Sequence, residues 1–482
     1  MTAILLLSVI IAYFSLLIII SWFTSKKADN NAFFIGNRKS PWFVVAFGMI
    51  GASLSGVTFI SVPGWVGSSQ FSYMQMVLGY LVGYFVIANI LMPVYYRMNL
   101  TSIYTYLDNR FGRASYKTGA SFFLLSRIIG ASFRLYLVAS VLQFTVFEAW
   151  GVPFIITVIV TILLIWLYTF RGGIKTIIWT DSLQTFSMLT AVVLAVVIIS
   201  RHLGLDFTGM VNRIVESDYS RIWFFDDLSS EYHFVKQFLG GIFIAIVMTG
   251  LDQDMMQKNL SCRNIREAKK NMYWMSISLV PVNLVFLSLG ALLFIYASSM
   301  QIGIPEQTDM LFPLIATGGT LNPAVAVLFI VGLVAAAYSS ADSALTSLTT
   351  SFTIDILDGQ GMDEQKLKKT RFRSHILISV LLLGTILLFR VINDENVISA
   401  IFRVAGYTYG PLLGMYAFGF LLRSPVKDRY VPLIAILSPV ITFIINRYSE
   451  QLFWNYKFGF ELLLVNGLIT FIGLCLIIKK GK

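Results

Sequence analysis

Charged residues are scarce in this sequence. Of its 482 residues, 13% are charged and 57% are hydrophobic, whereas a soluble domain carries about 25% charged residues. No soluble fold of this length could bury so much apolar surface in one core. The shortage of charge therefore excludes a water-soluble protein and indicates a membrane protein with many spans.

Cysteine and histidine are also rare. Both cysteines, Cys262 and Cys475, lie at the predicted cytoplasmic ends of their helices, where a disulfide is not expected. The histidines, His202, His233 and His375, fall at or near predicted membrane boundaries, which leaves no cluster inside the membrane for haem, copper or zinc. Since no histidine pair accompanies the intramembrane carboxylates, a membrane-embedded enzyme is disfavoured.

Long apolar runs fill most of the chain. A helix needs roughly 20 mostly apolar residues to cross a hydrocarbon core of about 30 Å, so these runs predict an all-α polytopic protein with about thirteen transmembrane helices. The predicted spans are 3–23, 42–66, 73–97, 117–147, 152–170, 175–200, 235–257, 270–298, 322–357, 371–391, 396–421, 428–447 and 460–479. The acidic loop near 201–234 is expected to hold a short surface helix.

The basic residues that give the net charge of +11 are unevenly divided among the loops. Lysine and arginine collect in alternate loops, whereas the loops near 67–72, 148–151 and 299–320 contain neither. By the positive-inside rule, this predicts an external N-terminus and a cytoplasmic C-terminus in the plasma membrane, the inner membrane of a bacterium. The positive charge therefore reflects topology, with anionic lipid headgroups rather than nucleic acid as partners. We expect the monomer to be functional.

Two groups of five spans suggest an inverted repeat. Because five is odd, the two groups enter the membrane from opposite sides, as such a repeat requires. The first helix of each group is rich in glycine, at Gly48–Gly56 and at Gly240–Gln253. Paired breaks of this kind indicate a midplane binding site, although the glycines could instead serve close helix packing. The predicted divisions of the chain are an extra helix and loop at 1–41, repeats at 42–202 and 235–422, an external loop at 203–234, and two final helices at 423–482.

The stretch 335–350 carries a carboxylate and many hydroxyls in the middle of a span. Ser339, Asp342, Ser343 and Thr346 follow three-four spacing and share one helix face, with Ser340 on the adjoining face. A small hard cation prefers several oxygen ligands with one or two carboxylates. Small polar residues also join membrane helices, but an intramembrane carboxylate is costly and by default functional.

At these residues the chain resembles the sodium:solute symporter family, which includes bacterial sodium-coupled sugar, sialic-acid and proline carriers. The resemblance covers nearly the whole chain and rests on the serine-rich helix and on Arg171-Gly172-Gly173-Ile174, Trp179-Thr180-Asp181-Ser182-Leu183-Gln184, Asp252-Gln253 and Gln257-Lys258-Asn259-Leu260. It implies a leucine-transporter-type core and symport of Na⁺ with a small polar solute into the cytoplasm by alternating access. A sugar, sugar acid or carboxylate is favoured. The alternatives are a proton-coupled or an amino-acid or vitamin carrier of the same fold, then a passive channel.

The resemblance also implies cation sites. The first sodium site would use the Gly51, Leu54 and Ala336 carbonyls and the hydroxyls of Ser339 and Ser340. A possible second site would use Asp181, Ser339, Asp342 and Ser343. Where a related carrier has serine, this chain has Asp342, so a second sodium or a proton shared with Asp181 is a hypothesis. The alternative role for Asp181 is helix capping near a cytoplasmic boundary.

The implied solute pocket is less sharply defined. Its candidates are Ser53, Ser55, Thr58, Gln75, Tyr80, Arg134, Asp252 and Gln253. Arg127 shares a helix face with Arg134. Related sialic-acid carriers bind the substrate carboxylate with an arginine at the position of Gly130, one turn from Arg134, so Arg134 is predicted either to bind an anion or to pair with Asp252. Tyr407 and Tyr409 are gate candidates, or else part of an interfacial aromatic belt beside a proline kink.

Overall fold

A computed structural model describes residues 3–26, 29–170, 172–319, 321–392, 397–453 and 456–479. Within these ranges the chain forms α-helices joined by short turns, with isolated bridges but no β-strand. Arg171 of the quoted motif lies outside the described residues.

The first half of the chain contains ten α-helices. They are α1 Ala3–Thr24, α2 Asn30–Ile35, α3 Trp42–Ser69, α4 Tyr73–Val86, α5 Met92–Arg97, α6 Thr105–Arg110, α7 Arg113–Leu142, α8 Phe154–Thr169, α9 Ile174–His202 and α10 Phe207–Val215. One π-helical turn, Ile87–Leu91, joins α4 to α5, and another, Gln143–Phe147, extends α7. The short surface helix expected in the external loop is α10, which Asp206 caps by accepting a hydrogen bond from the Gly209 amide at 2.7 Å.

The second half contains eleven. They are α11 Phe234–Ala245, α12 Gln253–Leu260, α13 Ile265–Ser299, α14 Leu311–Thr317, α15 Pro323–Ser351, α16 Glu364–Ile392, α17 Val397–Thr408, α18 Gly410–Leu421, α19 Val431–Arg447, α20 Ser449–Leu452 and α21 Leu462–Leu476. A π-helical turn, Ile246–Gly250, extends α11, and a second, Phe352–Ile356, extends α15.

Helices occupy every predicted span. In the described part of the chain, nine are long and apolar enough to cross a membrane, and a tenth span is formed if α11 and α12 are counted together. The other three predicted spans coincide with shorter apolar helices, α8, α17 with α18, and α21. The all-α polytopic fold is therefore confirmed, whereas the count of thirteen spans and the division into 42–202 and 235–422 stay predictions.

Both predicted breaks are present. In α3 the backbone of Ser55 is non-helical, with φ 47° and ψ 172°. The segment Phe234–Gly250 meets α12 at a bend of 63°, with Leu251 and Asp252 between them. Such breaks interrupt the backbone hydrogen-bond ladder and leave carbonyl groups near the midplane available as ligands.

Glycines let α3 approach its neighbours closely. A Cβ atom on Gly48 would lie 2.9 Å from the Cβ of Asp181 on α9, and one on Gly56 would lie 3.4 Å from the Cα of Ala337 on α15. The helix α15 is buried at every position from Gly332 to Ser351. The break in α3 is therefore held against the serine-rich part of α15, with Asp181 of α9 alongside.

Candidate solute cavity and cation site

A cavity lies at the break of α3, among α3, α4, α7, α11, α13 and α17. Its polar lining comes from Ser53, Ser55, Thr58, Tyr73, Tyr80, Tyr84, Arg127, Arg134, Thr249 and Asn283. Ile244, Met248, Leu279 and Phe402 supply apolar surface. This mixture of hydroxyl groups, positive charge and apolar wall suits a small polar solute.

Five of the predicted solute residues line this cavity. Ser53, Ser55 and Thr58 come from α3, Tyr80 from α4, and Arg134 from α7. The hydroxyls of Ser53 and Tyr84 lie 3.4 Å apart, and those of Tyr73 and Tyr80 lie 3.3 Å apart. The hydroxyl groups along α3 and α4 thus form one polar wall.

The other three predicted solute residues, Gln75, Asp252 and Gln253, do not line the cavity. Gln75 is fully buried, donates to the Tyr232 carbonyl at 2.9 Å and accepts from the Phe224 amide at 3.2 Å. Gln253 donates to the Thr101 carbonyl and accepts from the Ile103 amide, both at 2.9 Å. In this structure both amides fasten loops to helices rather than facing the cavity.

Arg127 is neutralised by aspartates beside the bend between α11 and α12. Its guanidinium forms an ion pair with Asp254 and lies 3.8 Å from Asp252, all three being buried. Asp252 also accepts a hydrogen bond from the Tyr409 hydroxyl at 2.5 Å. The partners of Asp252 are therefore Arg127 and Tyr409, and the predicted pair of Asp252 with Arg134 is not formed.

Arg134 has a different environment. It lines the cavity, and no carboxylate among the described residues lies within 4 Å of it. Its Nε atom is buried and has no hydrogen-bond partner in the described part of the chain, and the same holds for the Asn283 carbonyl oxygen. The cavity thus presents an unpaired cation and a free acceptor.

The hydroxyls of the two gate candidates have different partners. Tyr409 is buried, with its hydroxyl on Asp252. Tyr407 accepts a hydrogen bond from Asn446 of α19 at 2.8 Å. These contacts place Tyr409 beside the bend of α11 and α12, and Tyr407 against a C-terminal helix.

The predicted residues of the first sodium site lie on α3 and α15, which pack against each other near the break. The Gly51 amide donates to Thr185 of α9 at 3.1 Å. Leu54 lies one residue before the non-helical Ser55. On α15, the Ser340 hydroxyl donates to the Ala336 carbonyl at 3.2 Å. Backbone carbonyls near the break of α3 and hydroxyls of the buried α15 thus lie on neighbouring helices, and oxygen atoms of these kinds are suitable Na⁺ ligands.

Next to this position lies a buried charge cluster. Ser339 donates to Asp181 Oδ1 at 2.8 Å, and Lys258 Nζ lies 2.6 Å from Asp181 Oδ2. Both charged side chains are 1% exposed. Lys258 comes from α12 and Asp181 from α9, so the ion pair links the two halves of the predicted repeat. It also places an ammonium group against the carboxylate that the second sodium would use.

Asp342 is the other carboxylate of this region. Its Oδ2 accepts a hydrogen bond from the Tyr168 hydroxyl of α8 at 3.0 Å. Its Oδ1 and the Ser343 hydroxyl are buried and have no hydrogen-bond partner in the described ranges. Oxygen atoms left in this condition are suited to bind a cation or a proton.

Sequence reasoning missed three of these residues. The sequence places Lys258 in the motif Gln257-Lys258-Asn259-Leu260 and among the basic residues of a cytoplasmic loop, and it assigns no role to Asp254 or Tyr168. Lys258 begins a run of basic residues that includes Arg263, Arg266, Lys269 and Lys270, so its sequence context indicates a cytoplasmic loop and not a buried ion pair. Nothing in the sequence indicates which acid it finds.

Comparison with known proteins identifies the group to which this architecture belongs. The sequence matches the profile of the "Sodium:solute symporter family" over residues 33–422. The chain belongs to this family. The symporter is thus a transporter and not an enzyme, and it couples movement of a solute to Na⁺.

Its relatives include two bacterial proteins. The sodium/sialic acid symporter NanT of Aliivibrio fischeri is 25% identical over 451 residues, which cover 87% of this chain and 83% of the relative. The sodium/sialic acid symporter SiaT of Proteus mirabilis is 24% identical over 484 residues, covering 96% and 94%. These lengths show that the relatives correspond to the symporter almost end to end.

The fold is that of a solved transporter. A structure of a Na⁺-coupled sialic acid symporter superposes with a TM-score of 0.83 at 20% identity, covering 98% of this chain and 97% of that one. The predicted leucine-transporter-type fold and multi-pass membrane location are thereby confirmed.

Proposed function

We propose that the symporter takes up a small hydroxylated organic anion, such as a sugar acid, and that Arg134 binds its carboxylate. The observation that carries this proposal is the guanidinium of Arg134, which faces the cavity without an acidic partner among the described residues. A guanidinium and a carboxylate form short, charge-assisted and often bidentate hydrogen bonds. Burying this cation beside a neutral solute would leave it uncompensated.

The surroundings of Arg134 support an anion. Arg127 lines the same cavity but is neutralised by Asp252 and Asp254. Both aspartates are held by Arg127, and Asp252 also by the Tyr409 hydroxyl, so Arg134 is the cation whose charge is directed at the cavity. Asn283 and the hydroxyls of Thr58 and Tyr80 can bind hydroxyl groups on the rest of the solute.

The relatives transport sialic acid, which is a sugar acid. This chain departs from them at Gly130, where a Cβ atom would meet only open space. We infer that the positive charge has moved by one helical turn, to Arg134. A carboxylate bound there sits closer to the external end of α7.

For the cations, we propose that Na⁺ binds first to the carbonyls of Gly51, Leu54 and Ala336 and the hydroxyls of Ser339 and Ser340. The closeness of the α3 break to α15 supports this set. A second cation, Na⁺ or a proton, binds at Asp342 and Ser343, whose oxygen atoms have no other partner in the described region. Asp181 and Ser339 contribute to it only when Lys258 moves aside.

The proposed cycle follows from these positions. Na⁺ at the first site holds the two parts of α3 against α15 and favours the state open to the outside. The solute then fills the cavity and permits closure, and Na⁺ leaves to the cytoplasm with it. We further propose an external N-terminus and a cytoplasmic C-terminus, because of the alternating loop charges.

A thermal-unfolding screen tests the solute proposal. Purified protein is heated in NaCl or in choline chloride with sugar acids, small monocarboxylates and the matched neutral sugars, because ligand binding stabilises the native state. We expect stabilisation by an acid, only in Na⁺, and its loss in Arg134→Gln with stabilisation by Na⁺ retained. Equal stabilisation by a neutral sugar, or an unchanged response of the variant, would contradict the proposal.

A further inference from the structure

The N-terminal part of α16 presents a row of cations to a second cavity. Lys368, Lys369, Arg371 and Arg373 line a space of about 920 Å³ that also touches the ends of α1 and α8. No carboxylate among the described residues lies within 4 Å of any of the four. A cavity with this lining favours an anionic occupant.

Neighbouring residues hold side chains of this basic cavity in fixed positions. Arg371 is held by a hydrogen bond to Asn30 at 2.8 Å and by the ring of Phe33, 4.2 Å from its guanidinium carbon. His375 also lines the cavity and is 3% exposed. Its Nδ1 lies 2.9 Å from the Thr349 hydroxyl, whereas its Nε2 is buried without a partner in the described part of the chain. A buried ring nitrogen in this condition indicates that a ligand or water completes the site.

An apolar groove between α8 and α16 continues from the basic cavity. It has a volume of about 280 Å³ and is lined by Ile159, Leu163, Trp166, Ile376, Val380 and Leu383. The Trp166 ring joins the two spaces, since it lies 5.4 Å from the Phe372 ring and 5.5 Å from that of His375, both of which line the basic cavity. The groove opens toward lipid, because Leu163 and Val380 are 56% and 59% exposed.

The basic cavity lies at the depth of a phospholipid headgroup, and the apolar groove lies at the depth of its acyl chains. The cations lie at the start of α16, on the side that the proposed topology assigns to the cytoplasm, and the groove follows α16 from Ile376 to Leu383, or about 10 Å into the bilayer. We propose that one anionic phospholipid binds here, with its phosphate among Lys368, Lys369 and Arg373 and one acyl chain in the groove. The positive-inside rule alone accounts for basic residues at this end of a helix, but not for the groove or for the unpartnered nitrogen.

The lipid would contact the transport machinery through one hydrogen bond. His375 joins the cavity to Thr349 on α15, the helix that carries Ser339 and Ser340. Occupancy of the site therefore stabilises the position of α15 relative to α16. This step rests on the proposed sodium site, whereas lipid binding itself does not.

Native mass spectrometry of the delipidated full-length protein tests the site. The protein is titrated with phosphatidylglycerol and with phosphatidylcholine of the same acyl chains. We expect one phosphatidylglycerol to bind at least tenfold more tightly than phosphatidylcholine. The variant Lys368→Gln/Lys369→Gln/Arg373→Gln should lower the affinity for phosphatidylglycerol at least tenfold and leave that for phosphatidylcholine unchanged.

Matched variants distinguish the site from general surface charge. Arg263→Gln/Arg266→Gln/Lys366→Gln removes three exposed cations that do not line the cavity, and it should retain the affinity of the native protein. Val380→Trp fills the groove and should weaken both lipids. Equal affinity for the two lipids, equal loss in the control triple variant, no effect of Val380→Trp, or displacement of phosphatidylglycerol by inorganic phosphate at a similar concentration would each overturn the proposal. A normal sodium-dependent melting curve confirms that each variant is folded.

Discussion

Replacing Lys258 by methionine should show how much the stability of the protein depends on a cation beside the buried Asp181 carboxylate. Methionine keeps most of the side-chain volume but removes the ammonium group, so the variant leaves a carboxylate that is 1% exposed, hydrogen-bonded to Ser339, and without a cation beside it in the described part of the chain. Breaking a buried pair by removing one partner costs about 3–5 kcal/mol. The double variant Lys258→Met/Asp181→Asn removes both charges and should recover most of this loss, because no uncompensated charge remains.

The assay is thermal unfolding of the detergent-purified variants in NaCl and in choline chloride at equal ionic strength. In Lys258→Met, Na⁺ can take the place of the ammonium group, and a ligand at 100 times its dissociation constant stabilises by about 2.7 kcal/mol. The melting temperature of this variant should therefore rise with Na⁺ more than that of the native protein. The double variant lacks the carboxylate and should lose the additional response.

Two results would refute this reasoning. If the single and double variants were equally unstable, the instability would come from lost packing of the lysine side chain and not from an unpaired charge. If Lys258→Met responded to Na⁺ no more than the native protein, the space beside Asp181 would not be a cation site. Lys258→Arg is the matched control, since it keeps the charge and should stay close to the native protein in both salts.

The remaining predictions concern separate parts of the molecule. Replacing both Ser339 and Ser340 by alanine should abolish sodium-driven uptake in proteoliposomes, because two of the five proposed oxygen ligands are lost; sodium dependence that persists would contradict the site. Arg134→Gln should lower the affinity for the acidic solute by about 10–150-fold, the equivalent of a charged hydrogen bond of 1.5–3 kcal/mol, while Arg134→Lys loses less; binding titrations measure both. Gly79→Ala should destabilise the fold by about 1–3 kcal/mol, because the new Cβ would strike the Phe238 carbonyl oxygen of α11; a melting temperature equal to that of Gly130→Ala, where the space is open, would argue against this packing. Burial raises the pKa of the Cys262 thiol to about 12, so almost no thiolate is present at pH 8. In a Cys475→Ser variant, which keeps Cys262 as its one cysteine, a maleimide should therefore react only after unfolding. Rapid labelling of the folded variant would show that the thiol is accessible.

Much of the fold follows from the sequence because the membrane restricts it so strongly. Apolar runs near 42–66 and 175–200 are helices because backbone groups in lipid must bond within their own segment. The break in α3 was also predictable, since the glycines and serines from Gly48 to Gly56 lower helix propensity in the middle of a span. The polar face from Ser339 to Ser343 follows from helical spacing alone.

Side-chain pairing could not be predicted in the same way. Asp252 is next to Arg127 and not Arg134, although the two arginines share a helix face, because the bend between α11 and α12 decides which turn of α7 the aspartates reach. The sequence predicts Gln75 in the solute pocket, yet its amide holds the loop that contains Phe224 and Tyr232. Such pairings depend on how helices distant in sequence are packed, and spacing along one helix carries no information about them.

Asp342 also decides how uptake responds to voltage in the proposed cycle. A monoanionic solute and one sodium ion together carry no net charge, so a carrier with the first site alone would move them without an electric current. A second cation beside the unpartnered oxygen of Asp342 adds one positive charge to each turnover. The membrane potential then contributes about 2.3 kcal/mol per 100 mV, or roughly fifty-fold in the solute gradient that uptake can sustain. One buried carboxylate thus turns the resting potential of the cell into a driving force for accumulation.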